Sequence, residues 1–135
     1  MAVEPDAQQF AELDAIAGGA EDRPIVMLNL NRYRDREAYA RYGAVAAAVL
    51  ERLGGAVLWH AGVNGVVVGN DTYDDVIAVW YPSAAAFLAL ATDPEILAAR
   101  EDRLAGLKKA ALLRCDAAEA PVIPEPDLSD AIGTS

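Results

Sequence analysis

The chain has 135 residues, of which 54% are hydrophobic and 24% charged, and its formal net charge is −10. That is material for one domain with a sizeable core, and the composition is too apolar for disorder. The acidic balance repels phosphate backbones and anionic lipid, which argues against nucleic acid and membrane surfaces as partners.

In chain order, residues 1–23 form an N-terminal helix and linker. The start "MAVEPDAQQF" is acidic and lacks a basic region before an apolar run, so it does not read as a signal peptide. No apolar run reaches the roughly 18 residues needed to span a bilayer. Residues 6–17 suit a short helix, with Phe10, Leu13 and Ile16 on one side and Gly18-Gly19 ending it. Residues 25–30 suit a strand, preceded by Pro24. Asp35 is placed to cap the next helix, whose stripe Tyr39, Tyr42, Ala46, Val49, Leu53 has helical spacing. Residues 56–68 suit one long strand with a bend or bulge at Gly62 or Gly65. Gly69-Asn70-Asp71 is a turn signal, and residues 76–81 form the next strand. Ser83 caps a helix, and Asp93-Pro94 restarts it up to Gly106. Residues 107–115 make a last strand. The stretch 116–135 is acidic and proline-containing and suits an extended or disordered tail.

The single cysteine, Cys115, excludes a disulfide framework within one chain, which agrees with a reducing cytoplasm. It closes the apolar run "AALLRC" and reads as a small buried hydrophobe. One histidine is too few for an ordinary zinc site, and there is no glycine-rich phosphate loop. No metal and no cofactor are expected.

The order after the first helix is β-α-β-β-α-β, the split βαβ or ferredoxin-like arrangement of the α+β class, with an antiparallel sheet in the order 4-1-3-2. Two helices cover one sheet face. The other is apolar and bare in a monomer, which predicts a homodimer through that face.

The blocks "VMLNLNRYRDREAYARYG", "LGGAVLWHAG" and "IAVWYPSAAAFLALATDPE" resemble those of the "domain of unknown function 1330" family, in the dimeric α/β-barrel superfamily. The resemblance covers about residues 24–115. It implies a ferredoxin-like domain pairing face to face into a dimeric barrel, with a small cavity between sheet and helices or inside the barrel. The superfamily includes cofactor-free monooxygenases, lactone isomerases, polyketide cyclases, haem enzymes and stress proteins. Two features depart from the family pattern: the first strand runs Asn29-Leu30-Asn31-Arg32-Tyr33, and His60 follows Trp59.

Strand parity gives Val26, Leu28 and Leu30 one face, and Met27, Asn29 and Asn31 the other. The aliphatic set suits the helix-packed core, which points Asn29 into the barrel. Ile77 and Val79 look helix-facing, which leaves Trp80 on the barrel side; Arg114 lies opposite in parity to Leu113. Either Trp59 or His60 faces the cavity, but not both unless a bulge intervenes. His60 is the candidate base, since only its side chain has an unperturbed pKa near neutrality. Asn29 and Arg32 are candidates to hold a substrate oxygen or carboxylate. Trp59, Trp80, Met27 and Arg114 complete the candidate substrate-binding set, and Asp75 alone of the acidic turn is placed to reach the cavity mouth. The expected activity is cofactor-independent proton transfer (cyclisation, isomerisation or elimination) on a small, mostly apolar oxygenated molecule. The alternatives are a non-catalytic small-molecule-binding or stress-response module, or a cofactor-free monooxygenase.

Overall fold

The computed structural model describes residues 3–117. Helix α1 (Ala7–Ile16) opens with a capping box: the Asp6 carboxylate accepts the Gln9 N–H, and the Gln9 side chain returns to the Asp6 N–H. Strand β1 (Ile25–Tyr33) runs three residues beyond the expected Leu30. Helix α2 (Arg36–Arg52) is capped by Asp35, which accepts from the N–H groups of Glu37 and Ala38. It ends before Gly54, whose φ of 80° permits the sharp return into β2 (Ala56–Gly62). Strand β3 (Asp75–Tyr81) leads to α3 (Ala84–Ala91), capped by Ser83. Asp93 and Pro94 open α4 (Pro94–Ala98), which breaks at Ala99 before α5 (Arg100–Gly106); β4 (Leu107–Asp116) follows directly.

The sheet order is β2-β3-β1-β4, all antiparallel, as the ferredoxin-like reading required. The chain is α+β, with its helices on one face. Ile25 and Met27 of β1 and Tyr81 of β3 pack there against Val49, Leu50, Ala84, Phe87, Leu90 and Ile96. Burying such side chains contributes about 1.5–3 kcal/mol each. Tyr81 and Phe87 meet edge to face, 5.3 Å between centroids. Asp22 ties the layer's outer edge together. Its carboxylate accepts from the N–H of Gly18 at 2.8 Å and from Ala84 and Ala85, at the start of α3, at 2.6 and 3.2 Å.

Three expectations are corrected. Strand β2 stops at Gly62, not Val68: the Val63 N–H turns to the Asp74 carbonyl, and Val67 and Val68 lie almost fully exposed. Apolarity marks those valines as strand, but no strand among the described residues pairs with them. Cys115 is exposed, because it lies on the bare sheet face beside Val26. The facing of β1 is reversed: Met27 is 2% exposed within the helix-packed core, so Met27, Asn29 and Asn31 point to the helices and Val26, Leu28 and Leu30 to the open face. Both faces of this strand are apolar enough to be covered, so composition alone misassigned them. The tail reading falls on residues 118–135, outside the described residues.

Candidate active site

Cross-strand register decides which side chains meet, because directly paired residues share a face. Asn29 pairs with Ile77 on one side and Leu112 on the other, and Ile77 pairs in turn with His60. One row across the helix-facing side therefore reads Leu112, Asn29, Ile77, His60. Two strand spacings, about 10 Å, separate Asn29 from His60. The register shift between Val57 and Trp59 puts an extra residue, Leu58, into β2. Without it Trp59 would share the helix-facing side with Val57. With it His60 takes that side and Trp59 turns to the open face, 50% exposed.

The next row pairs Asn31 with Asp75, 3% and 4% exposed. The Asp75 Oδ2 receives the Tyr33 hydroxyl at 2.5 Å and stands 2.8 Å from His60 Nε2. A carboxylate in that position selects the tautomer with its proton on Nε2, which leaves the Nδ1 lone pair as a proton acceptor. The His60 side chain is 56% exposed, so that nitrogen can be reached from outside the cluster. Burial, then the Asp75 hydrogen bond, drives the Tyr33 phenol well above its ordinary range. It therefore stays protonated and remains a donor to the carboxylate. Tyr39 packs against Tyr33 with ring centroids 5.0 Å apart, and burial pushes its phenol up to about 12. The Asn31 Nδ2 and the Asp75 Oδ1 are buried and have no partner among the described residues. Each such orphan costs about 1–3 kcal/mol, which is typical of a site rather than of a core.

Beside this cluster lies a cavity of about 480 Å³ between sheet and helices. Its sheet wall includes Asn29, Ile77 and Val79; its helix wall includes Tyr39, Tyr42 and Leu50. Tyr39 thus belongs to both cavity and cluster; His60 does not line the cavity, but its cross-strand partner Ile77 does. The Asn29 amide donates to the carbonyls of Met27 and Ile77 at 3.2 and 3.3 Å. Its nitrogen is occupied by backbone, while its oxygen remains an acceptor at the cavity wall. Tyr39 is held in place by close backbone packing at Gly106, where a Cβ would lie 2.7 Å from the Tyr39 nitrogen. The Gly106 carbonyl also accepts the Arg34 and Asp35 N–H groups, fixing the start of α2.

The remaining sequence candidates are distributed elsewhere. Trp59 and Trp80 occupy the open face and cannot wall the cavity that Asn29 lines. Arg32 shares that parity and donates to Thr72 Oγ1 at 2.8 Å. Met27 and Arg114, paired across β1 and β4, line a second cleft near α1. Asp75, expected at the cavity mouth, is buried at the centre of the cluster. Asn31, Tyr33 and Tyr39 are not among the sequence candidates. Their signal was parity: Asp75 and Ile77 share a face, and Asn31 and Tyr33 share the face of Asn29.

Residues 25–114 match the family model described as "Domain of unknown function (DUF1330)". The chain belongs to this family. A Rhodopseudomonas palustris protein of unknown function superposes on the DUF1330 chain with a TM-score of 0.77 and 33% identity, covering 87% of this chain and 98% of that one. The Passiflora edulis hydroxynitrile lyase gives a TM-score of 0.55 at 14% identity, with coverages of 73% and 98%. SnoaB, a cofactor-independent oxygenase from Streptomyces nogalater, gives 0.51 at 14%, with 74% and 98%. At such identity the last two show the fold alone. No protein of curated function matches the chain. No helix among the described residues is long and apolar enough to cross a membrane.

Proposed function

We propose that this DUF1330 chain is a cofactor-independent enzyme of the cyclase, isomerase or lyase type. It would move a proton on a small, mostly apolar oxygenated substrate. The observation that carries the reading is the hydrogen-bonded chain Tyr33–Asp75–His60, joined to an apolar cavity through Tyr39 and Ile77. Asp75 orients the imidazole and stabilises the imidazolium once Nδ1 has taken a substrate proton; Tyr33 fixes the second contact of the carboxylate. The Asn29 oxygen, about 10 Å across the sheet, receives a substrate hydroxyl, and the Tyr39 phenol donates to a substrate oxygen. Transfer of the proton back to another atom of the same molecule completes an isomerisation; loss of a leaving group completes an elimination. The fold hosts a hydroxynitrile lyase in one neighbour and a cofactor-independent oxygenase in another, so chemistry of this kind is compatible with it.

A non-catalytic binding module is the second reading, favoured by the position of His60 outside the cavity wall. Native mass spectrometry of freshly purified protein, searching for a retained small molecule, supplies the substrate candidate. Incubation of that molecule with the protein in heavy water then separates the readings. An enzyme exchanges a carbon-bound hydrogen, and His60→Gln slows the exchange about a hundredfold. Retention without exchange supports the binding module and removes His60 as base.

The open face carries Val26, Leu28, Leu30, Ala78, Trp80, Trp59 and Leu113, and the last two are half-exposed. We propose that a second copy covers it. A neighbour of the same fold from Thermobifida fusca is described as dimeric, with a TM-score of 0.50 at 15% identity, covering 76% of this chain and 98% of that one. Arg32, Trp59 and Trp80 then belong to the barrel between copies.

A further inference from the structure

A strap from outside the family-matched residues lies along the cavity. Glu4 and Pro5 line it, Val3 lies beside them in the second cleft, and two arginines of α5 anchor the strap. The Arg100 guanidinium holds the Glu4 carboxylate through two bonds, Nε to Oε2 at 2.7 Å and Nη2 to Oε1 at 2.6 Å. Arg103 donates to the Val3 carbonyl. Arg103 forms no ion pair among the described residues, and its guanidinium stands 6.0 Å from the Tyr42 ring centroid. Hydrogen bonds from Arg100, acting against burial, hold the Glu4 carboxyl below its ordinary range, so it is ionised at neutral pH.

In a chain of net charge −10, two guanidiniums at the mouth of an apolar cavity are a selective feature. A planar guanidinium that grips one carboxylate bidentately will grip another of the same shape. The geometry points to Arg100 and Arg103 as the recognition site for a carboxylate on the ligand, with Glu4 occupying it as an internal stand-in until the ligand displaces the strap. The ligand class is therefore an amphipathic carboxylic acid, whose apolar body enters the cavity past Tyr42 while its charged end stays at α5. This deepens the proposed function and rests on the same cavity.

The test is calorimetric titration with 4-phenylbutanoate and its neutral amide. The proteins are wild type, Glu4→Gln and Arg100→Gln, each checked for an unchanged melting transition. The exposed Arg100–Glu4 pair sets the scale, so Glu4→Gln should tighten the acid about fivefold and tighten the amide less. Arg100→Gln should abolish the preference for the acid. If all three proteins bind acid and amide alike, the carboxylate site is wrong while the cavity stands. If neither probe binds any of them, the cavity reading fails and takes this inference with it.

Discussion

The two faces of the sheet have similar apolar content and opposite character. On the helix-facing side, polar residues are inserted singly among aliphatic ones. Asn29, Asn31, Asp75 and His60 stand between Met27, Ile77 and Val79, and each polar group is set by a cross-strand neighbour. On the open side the run Val26, Leu28, Leu30 with Trp59, Trp80 and Leu113 has no charged member until Arg32 at its edge, although the Trp80 Nε1 is buried there without a partner among the described residues. A face that excludes charged groups suits contact with a second copy. A face that buries a carboxylate under a tyrosine and a histidine, at a desolvation cost a plain core would avoid, suits chemistry.

Variants on each face should separate these roles. The largest effect is expected from His60→Gln, which should slow the proposed proton exchange about a hundredfold, measured by mass spectrometry in heavy water, and leave any self-association unchanged. Trp59→Glu, one residue away on the opposite face, should do the reverse. It should weaken self-association at least tenfold in sedimentation at micromolar concentration, because a charge then replaces buried apolar area. If the two variants share one phenotype, the division between faces is broken.

Smaller effects test the scaffold. Burial pushes the Asp22 carboxyl up, but the N–H groups of Gly18, Ala84, Ala85 and Arg23 together hold it below its ordinary value. Its contribution is therefore present above the usual carboxylate range and is lost as pH falls through the lowered folded value. Asp22→Asn should cost about 1 kcal/mol at neutral pH. The gap between the two melting curves should close in acid; a constant gap would mean the charge is irrelevant. The tyrosines act at the other end of the pH scale. Tyr39 is raised from 10.0 to about 12, so the stability it contributes is intact below pH 10 and fades as pH climbs toward 12. Tyr39→Phe should flatten the alkaline limb of the stability curve between pH 10 and 12, read from chemical denaturation.

Much of this was legible in the sequence, and the limit has a physical basis. Asp35, Ser83 and Asp93 were readable as caps because capping is settled within three residues. The sheet order followed from element order and the ferredoxin-like pattern. What failed depended on partners distant in sequence. Asn29 faces the helices although the aliphatic set Val26, Leu28 and Leu30 suits the core better. The inference that Ile77 faces the helices was correct, and the Asn29–Ile77 pairing carries Asn29 with it, but register is a property of two strands. The choice between Trp59 and His60 turned on one extra residue at Leu58, which has no signature of its own. Asp75 sits in "NDTYDDV", a run that reads as a solvated hairpin, and only the position of Tyr33 and His60 above it makes it a buried carboxylate.

The chain's single histidine makes the central claim directly measurable. Nitrogen-15 NMR of the uniformly labelled protein at neutral pH contains one imidazole, with no assignment problem. An oriented His60–Asp75 pair predicts the tautomer protonated on Nε2 and unprotonated on Nδ1, and Asp75→Asn should shift that balance measurably. An averaged pair of ring signals, unchanged by Asp75→Asn, would show that the carboxylate does not hold the imidazole and would contradict the assignment of this face as the reactive one.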